Sequence, residues 1–468
     1  MRTTFAFTAL VASLSAAIAA PVSEGFIGKN AINSPPKSQN TTTDGQDVIL
    51  WFKAGDATIQ DSIKAALDYV QRTPEDDSVN VVQNAAFTAI IMKGVNEENI
   101  DAFNAMDAIE IVEQDVEIES YATQSQSTWG LQRISNDAGA AGSPQGRNFT
   151  YSFQGEASAL GAGVDVYMVD TGIRASHAVF QGRAVQGFPP NNANDGDGHG
   201  THTAGTVAGA QFGVAQGANL IAVKVLGDDG KGSASTFIDG ISWAINNHDA
   251  RKSQPGFLGS VMSMSLGISS RVDSVNRAVS GALSRGVHVS IAAGNDFGKD
   301  ACTTTPALLG GSNSAAVTVG ALNIQNKIAA FSNIGTCVDI YAPGEQILSA
   351  WNTGDTIINF LSGTSMACPH VSGVMATLIA QDPAALGQNP AALKAKLLSI
   401  ARKNAFTGNT GGSANLLLSN GVDGKAPAQP QQKRTVTGDL TTWAQDNKII
   451  KSLGARWTVH STDSLLRF

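Results

Sequence analysis

Five short runs dominated by apolar, often β-branched residues punctuate the middle of this chain: Val164–Val169, Leu220–Val225, Val261–Ser265, Val287–Ala293 and Val317–Val319. Runs of this kind read as strands buried on both faces. Segments with helical patterning lie among and after them, at about 200–210, 234–248, 272–285 and 365–380. Doubly buried strands alternating with helices predict an α/β fold, a parallel sheet with helices on both faces. The unit begins close to Trp129 and closes near Asn420, and we assign it residues 123–420. Such a sheet needs a sizeable core, and apolar residues make up 42% of the 468-residue chain. The 15% of charged residues is too low for a disordered protein. A net charge of −8 without any Lys/Arg stripe argues against a nucleic-acid partner.

A smaller unit precedes it. Asp47 to Lys53 reads as a strand, and Ile59 to Arg72 as a helix with Ile59, Ile63, Leu67 and Val70 on one face. Phe87 to Met92 reads as a strand, Asn96 to Ala105 as a helix, and Ile109 to Ile118 as a closing strand. This predicts a small two-layer α+β domain of the split βαβ kind over 47–122. Residues 1–20 carry Arg2, an apolar stretch from Phe5 to Leu14, and Ala17-Ile18-Ala19, the pattern of a cleaved secretory signal. That apolar stretch is short for a bilayer span, and no later segment is expected to cross a membrane. Residues 21–46 read as a polar linker. Ala122 to Thr128 is polar without an apolar pattern, and is expected to be open to proteolysis. Residues 421–468 form a C-terminal extension with a polar linker and the dibasic pair Lys433-Arg434.

Four segments of the larger unit carry chemistry. The first apolar strand ends at Asp170-Thr171-Gly172, and strand ends of an open parallel sheet are where sites form. Asp197-Gly198-His199-Gly200-Thr201-His202 presents two imidazoles at the start of a helix. Its spacing alone does not distinguish a base from a structural histidine, and a metal pair would need ligands that do not accompany it. Val289 to Ala293 runs into Gly294-Asn295, whose side-chain amide is a potential oxyanion donor. Gly363-Thr364-Ser365-Met366-Ala367-Cys368-Pro369-His370 presents a serine before an apolar helix, whose N-terminus favours negative charge. Taken singly, each reads as a turn or a helix cap. Ala367 also departs from the Gly-x-Ser-x-Gly elbow of esterases and lipases. The order Asp, His, Ser is what joins them.

In that order, Asp170-Thr171-Gly172, His199-Gly200-Thr201-His202 and Gly363-Thr364-Ser365-Met366-Ala367 resemble the signatures of the subtilases, in the proteinase K-like branch with its cerevisin-type members. The similarity runs from Trp129 to Leu417, and residues 47–122 resemble the family's inhibitory propeptide. The resemblance implies a serine endopeptidase made as a self-processing zymogen. Ser365 would be the nucleophile, His199 the base, Asp170 its orienting carboxylate and Asn295 the oxyanion donor. Gly230-Lys231-Gly232 and Ser265-Leu266-Gly267 would hold extended substrate by main-chain hydrogen bonds. Ala292, Ala293 and Gly294 would line an apolar S1 pocket. Expected partners are protein and peptide substrates and the chain's own propeptide, with cleavage within 120–128 and a monomeric product.

No cofactor is implied for the chemistry. A structural calcium ion is a family feature, and Asp339 matches its carboxylate ligand. The loop over 306–316 is several residues longer than the family's, so the carbonyl ligands cannot be placed. Thr203 stands where many relatives have a cysteine, Ala234 where an aromatic can border S4, and Ile268 where a glycine is common. Three cysteines in an oxidising compartment allow one disulfide and one free thiol. Cys302–Cys337 is the expected pair, with Cys368 a buried thiol. Sequons at Asn40 and Asn148 permit glycosylation. Secretion from the cell is expected, with the vacuolar lumen as the alternative.

Overall fold

The computed structural model describes residues 45–54, 58–84, 86–115, 121–146 and 148–424, together with 458–459 and 465–466. The signal segment, nearly all of the 21–46 linker, Asn40 and Lys433-Arg434 lie outside them. The chain divides into two units, one up to Ile118 and one from Glu119 onward.

The first unit contains β1 (Gln46–Phe52), α1 (Ile59–Tyr69), β2 (Val79–Gln83), β3 (Thr88–Val95), α2 (Glu97–Ala105) and β4 (Ile109–Gln114). Its strands form an antiparallel sheet in the order β2-β3-β1-β4. Alternation along β1 sends Val48, Leu50 and Phe52 into a core with Ile63, Leu67 and Phe103 from the helices. It leaves Ile49 and Trp51 on the opposite face. The Asn96 side chain caps α2 by accepting from the Asn99 N–H at 2.8 Å.

The second unit opens with β5 (Tyr121–Ser127), α3 (Trp129–Ser135), β6 (Phe149–Gln154), β7 (Val164–Asp170), β8 (Ala184–Phe188) and α4 (His199–Ala208). It continues through β9 (Asn219–Lys224), α5 (Ala234–Arg251), β10 (Gly259–Met264), α6 (Asp273–Ser284), β11 (His288–Ala292), β12 (Val317–Leu322) and β13 (Ile340–Pro343). Next come β14 (Ile347–Ala350), β15 (Ile357–Ser362), α7 (Thr364–Gln381), α8 (Pro383–Leu386), α9 (Pro390–Ser399), β16 (Arg402–Lys403) and β17 (Leu416–Leu417). Two short pieces, β18 (Thr458–Val459) and β19 (Leu465–Leu466), pair in parallel with β15.

Nine strands form the main sheet in the order β16-β17-β13-β12-β11-β10-β7-β9-β8, parallel except at β16–β17. Each of the five apolar runs has become a strand, and each expected helix is present. The two faces carry separate cores. Val164, Val166 and Met168 of β7 pack with Ala204, Val207, Val371 and Met375 of α4 and α7. Tyr167 and Val169 point the other way, into a core with Ile241, Val275 and Val279 of α5 and α6. From β7 the chain builds outward first to β8 and β9, then reverses to β10, β11 and β12. Sites form outside the carboxyl ends of strands at such a reversal.

One expectation is corrected. Residues 121–127 are not an open stretch but strand β5, paired antiparallel with β6 from Tyr121–Gln154 to Ser127–Phe149. The polar composition misleads because the buried side chains of this strand are themselves polar. The Gln124 amide donates to the Gln211 carbonyl at 3.0 Å and accepts from Gln216 at 2.7 Å. These bonds satisfy groups that would otherwise be costly to bury.

Candidate active site

Asp170 is the last residue of β7 and is fully buried. Its Oδ1 lies 2.7 Å from Nδ1 of His199, the first residue of α4. The turn that brings them together depends on two glycines. Gly198 has φ +112°, which L side chains rarely adopt, and a Cβ on Gly200 would meet the Gly172 carbonyl oxygen at 2.1 Å. Asp195, which sequence reasoning did not single out, ties the same turn together. Its Oδ1 accepts from the Thr171 hydroxyl at 2.8 Å and the Gly198 N–H at 2.7 Å. Its Oδ2 accepts from the Thr201 N–H at 2.8 Å and the Thr201 hydroxyl at 2.6 Å. A lone Asp inside an Asp/Gly-rich loop gave no signal of that role.

The second oxygen of Asp170 accepts from the Thr203 hydroxyl at 3.1 Å. A hydroxyl is a stronger hydrogen-bond donor to this carboxylate than a thiol at the same position would be. Burial alone would depress the His199 pKa. The Asp170 charge and hydrogen bond, with Asp197 and Asp195 behind them, outweigh it and raise the value above the usual imidazole range. His202 differs. Burial pushes its pKa down to about 3, and its Nε2 faces the Ile347 and Asn359 carbonyls at 3.0 and 3.1 Å. It is a neutral packing residue, so geometry separates the two histidines where spacing does not.

Ser365 is the second residue of α7, which begins at Thr364. It exchanges two hydrogen bonds with the segment after β10. Its hydroxyl donates to the Ser265 carbonyl at 3.0 Å, and the Ser265 hydroxyl donates to the Ser365 carbonyl at 2.8 Å. The second bond follows from Pro369, which sits inside α7. In an α-helix the N–H of residue 369 would bond to the carbonyl of residue 365, and proline has none to offer. The orphaned carbonyl takes the Ser265 hydroxyl instead. His199 Nε2, buried, makes no hydrogen bond in this arrangement, so the Ser365 hydroxyl is turned toward Ser265 and not toward the imidazole.

Asn295 follows β11. Its Oδ1 accepts from the Thr364 N–H at 2.8 Å and the Thr364 hydroxyl at 3.0 Å, which orients the amide nitrogen away from them. Gly294 donates its N–H to the Thr364 hydroxyl at 3.1 Å, so the end of β11 is fastened to the start of α7. Ala292 and Ala293 are buried, with Ala293 donating to the Val319 carbonyl at 3.0 Å. Leu266 is half-buried and Gly267 exposed. Ile268 pairs with Thr305 through hydrogen bonds of 2.7 and 3.0 Å. Gly230 is a turn residue with φ +73°, and the turn closes by a Gly227 N–H to Lys231 carbonyl bond of 2.7 Å. Lys231 and Gly232 are exposed; the Lys231 N–H donates to Asp229 Oδ1 at 3.1 Å, and the segment leads into α5, where Ala234 is the first residue.

Cys302 and Cys337 form a disulfide. Cys368 is free and buried, and burial pushes its thiol pKa up. It packs against the Ser290 hydroxyl at 3.1 Å, one helical turn from Ser365. Asp339 is buried beside Lys394, whose ammonium lies 2.8 Å from its Oδ1. The carbonyls of the neighbouring loop converge on that ammonium, so the donor set a cation would use is already taken. A metal ion does not fit these residues as they stand. No described helix is long and apolar enough to cross a membrane.

Residues 161–422 match the subtilase family. The chain belongs to that family and is a subtilisin-like serine endopeptidase. It is 42% identical over 320 residues to a cuticle-degrading serine protease of Arthrobotrys oligospora, a match covering 67% of this chain and 73% of that protein. It is 40% identical over 344 residues to subtilisin-like protease 8 of Trichophyton verrucosum, covering 70% of this chain and 68% of the relative. A cold-adapted subtilisin-like serine proteinase of known structure is 39% identical, with a TM-score of 0.54, covering 63% of this chain and 99% of that one.

Proposed function

We propose that Ser365 attacks the scissile carbonyl while His199 accepts its proton and later delivers it to the leaving amine. The observation that carries this reading is the 2.7 Å contact between His199 Nδ1 and the buried Asp170 carboxylate. It fixes the tautomer with the proton on Nδ1 and leaves Nε2 as the basic nitrogen. Rotation of the Ser365 side chain away from the Ser265 carbonyl brings its hydroxyl to that nitrogen. Such contacts commonly tighten only when substrate binds. The Asn295 amide and the Ser365 N–H then hold the oxyanion. Substrate lies extended between residues 230–232 and 265–267, with large apolar P1 side chains against Ala292, Ala293 and Gly294. That main-chain mode accepts many sequences.

Residues 47–122 act as an inhibitory propeptide that the enzyme removes itself. Gln124 is buried with partners in the second unit, so its removal would strand Gln216 and the Gln211 carbonyl. The cut therefore falls before Gln124, at the N-terminal end of the 120–128 window. The mature enzyme is monomeric and secreted, and the exposed Asn148 carries a glycan. Ser365→Ala should leave the full-length precursor uncut and unlabelled by a fluorophosphonate. Mass spectrometry of the wild type should give an N-terminus between 121 and 124. Efficient self-processing of the alanine variant would overturn the mechanism.

A further inference from the structure

Four oxygens converge on the ammonium of Lys394, in α9. They are the carbonyls of Gly311, Ser314 and Ala316 at 2.7, 2.9 and 2.8 Å, and Asp339 Oδ1 at 2.8 Å. The lysine side chain is 11% exposed and that of Asp339 3%. Asp339 is itself held, with Oδ1 accepting from the Gly311 N–H at 3.1 Å and Oδ2 from the Thr318 N–H at 2.8 Å. Three carbonyl dipoles and a carboxylate pointing at one spot repel one another unless a positive charge sits among them. An all-oxygen cage of this kind is what a hard cation selects. The spacings are those of N–H···O bonds, longer than calcium–oxygen distances.

The cage belongs to the lengthened loop between the 3₁₀ turn at Ala307–Leu309 and β12. The Cys302–Cys337 disulfide joins the segments on either side of this loop and β12, and Thr305, just before the 3₁₀ turn, pairs with Ile268 next to the proposed substrate-binding residue Gly267. We propose that this cage is a cation site whose resident is the chain's own Lys394 ammonium. It frees this part of the enzyme from bound metal, and without the ammonium the same oxygens take up calcium. The proposal concerns loop architecture and stands apart from the catalytic roles assigned above.

The test uses the secreted, processed enzyme, produced with and without calcium in the medium. Wild type should show the same Tm in excess chelator and in millimolar calcium chloride. It should bind no calcium by equilibrium dialysis that Asp339→Asn abolishes. Lys394→Ala leaves a buried carboxylate unpaired, and its Tm in chelator should fall by about 5–10 °C. Calcium should restore part of that loss, with Tm rising as the logarithm of its concentration above the dissociation constant. Lys394→Met, which fills the space without charge, should be destabilised and take up no calcium. If the alanine variant accumulates only in calcium medium, that is the expected rescue read during production. Three results would overturn the proposal: wild-type calcium binding lost with Asp339→Asn, a Lys394→Ala enzyme as stable as wild type in chelator, or a destabilised Lys394→Ala enzyme that binds no calcium.

Discussion

The Thr203 hydroxyl has one proton and two acceptors, Asp170 Oδ2 and the Gly200 carbonyl, both at 3.1 Å. The carboxylate is charged and fully buried, so it should hold that proton. Thr203→Val keeps the shape and removes the donor. Asp170 Oδ1 retains the Thr171 N–H at 2.7 Å and His199, while Oδ2 loses its hydroxyl in a site without water access. A hydrogen bond to a charged group contributes about 1.5–3 kcal/mol, so the variant should lose about 2 kcal/mol of stability and roughly 4 °C in Tm. The catalytic effect has a separate signature. A less well solvated Asp170 anion holds the imidazolium more tightly, so His199 should stay protonated to higher pH. The acid limb of kcat/KM, which reports the free enzyme, should move upward, measured with a peptide p-nitroanilide. Thr203→Ser should return both quantities to wild-type values. An unchanged Tm and an unchanged acid limb in Thr203→Val would place the proton on Gly200 and refute the argument.

Asp197 raises the His199 pKa by its charge, while its Oδ1 accepts from the His199 N–H at 3.1 Å. Asp197→Asn keeps an acceptor and removes the charge. Since the base must be neutral to act, the acid limb of kcat/KM should shift to lower pH, opposite in sign to Thr203→Val. Cys302–Cys337 closes a loop with a sequence separation of 35, for which the chain-entropy treatment gives about 4 kcal/mol. Cys302→Ser should lower the guanidinium midpoint of the mature enzyme accordingly. A midpoint within error of wild type would mean that the Lys394 cage alone holds this loop.

How much of this was legible depends on which residues carry the information. The central strands were readable because burial on both faces leaves nearly uninterrupted apolar runs, as in Val287–Ala293. The edge of the structure was not. In β5 the inward residues are Gln124 and Ser127; Gln124 is satisfied by Gln211 and Gln216 far along the chain, and Ser127 by Gln124. No local pattern encodes such pairing. The site shows the same division. Asp170, His199, Asn295 and Ser365 each stand at the end of a strand or the start of a helix, where a sequence pattern can point. Asp195, Thr203 and Lys394 act through contacts that exist only once the sheet has brought remote loops together.

Pro369 makes the energetic logic of the site explicit. Proline in a helix interior costs about 3 kcal/mol against alanine, and Pro369 lies inside α7, beyond its first turn. The cost is local, and its consequence is a carbonyl on Ser365 that must find a donor elsewhere. That donor is Ser265, in the segment proposed to pair with substrate. The proposed nucleophile and the segment proposed to bind substrate are therefore fastened to each other by two bonds, one of which the Ser365 hydroxyl must release to react. Releasing the hydroxyl bond leaves the carbonyl bond intact, so Ser365 can turn toward His199 while its backbone stays fixed. A helix without Pro369 would satisfy the carbonyl internally and leave Ser265 held only by the bond that catalysis breaks.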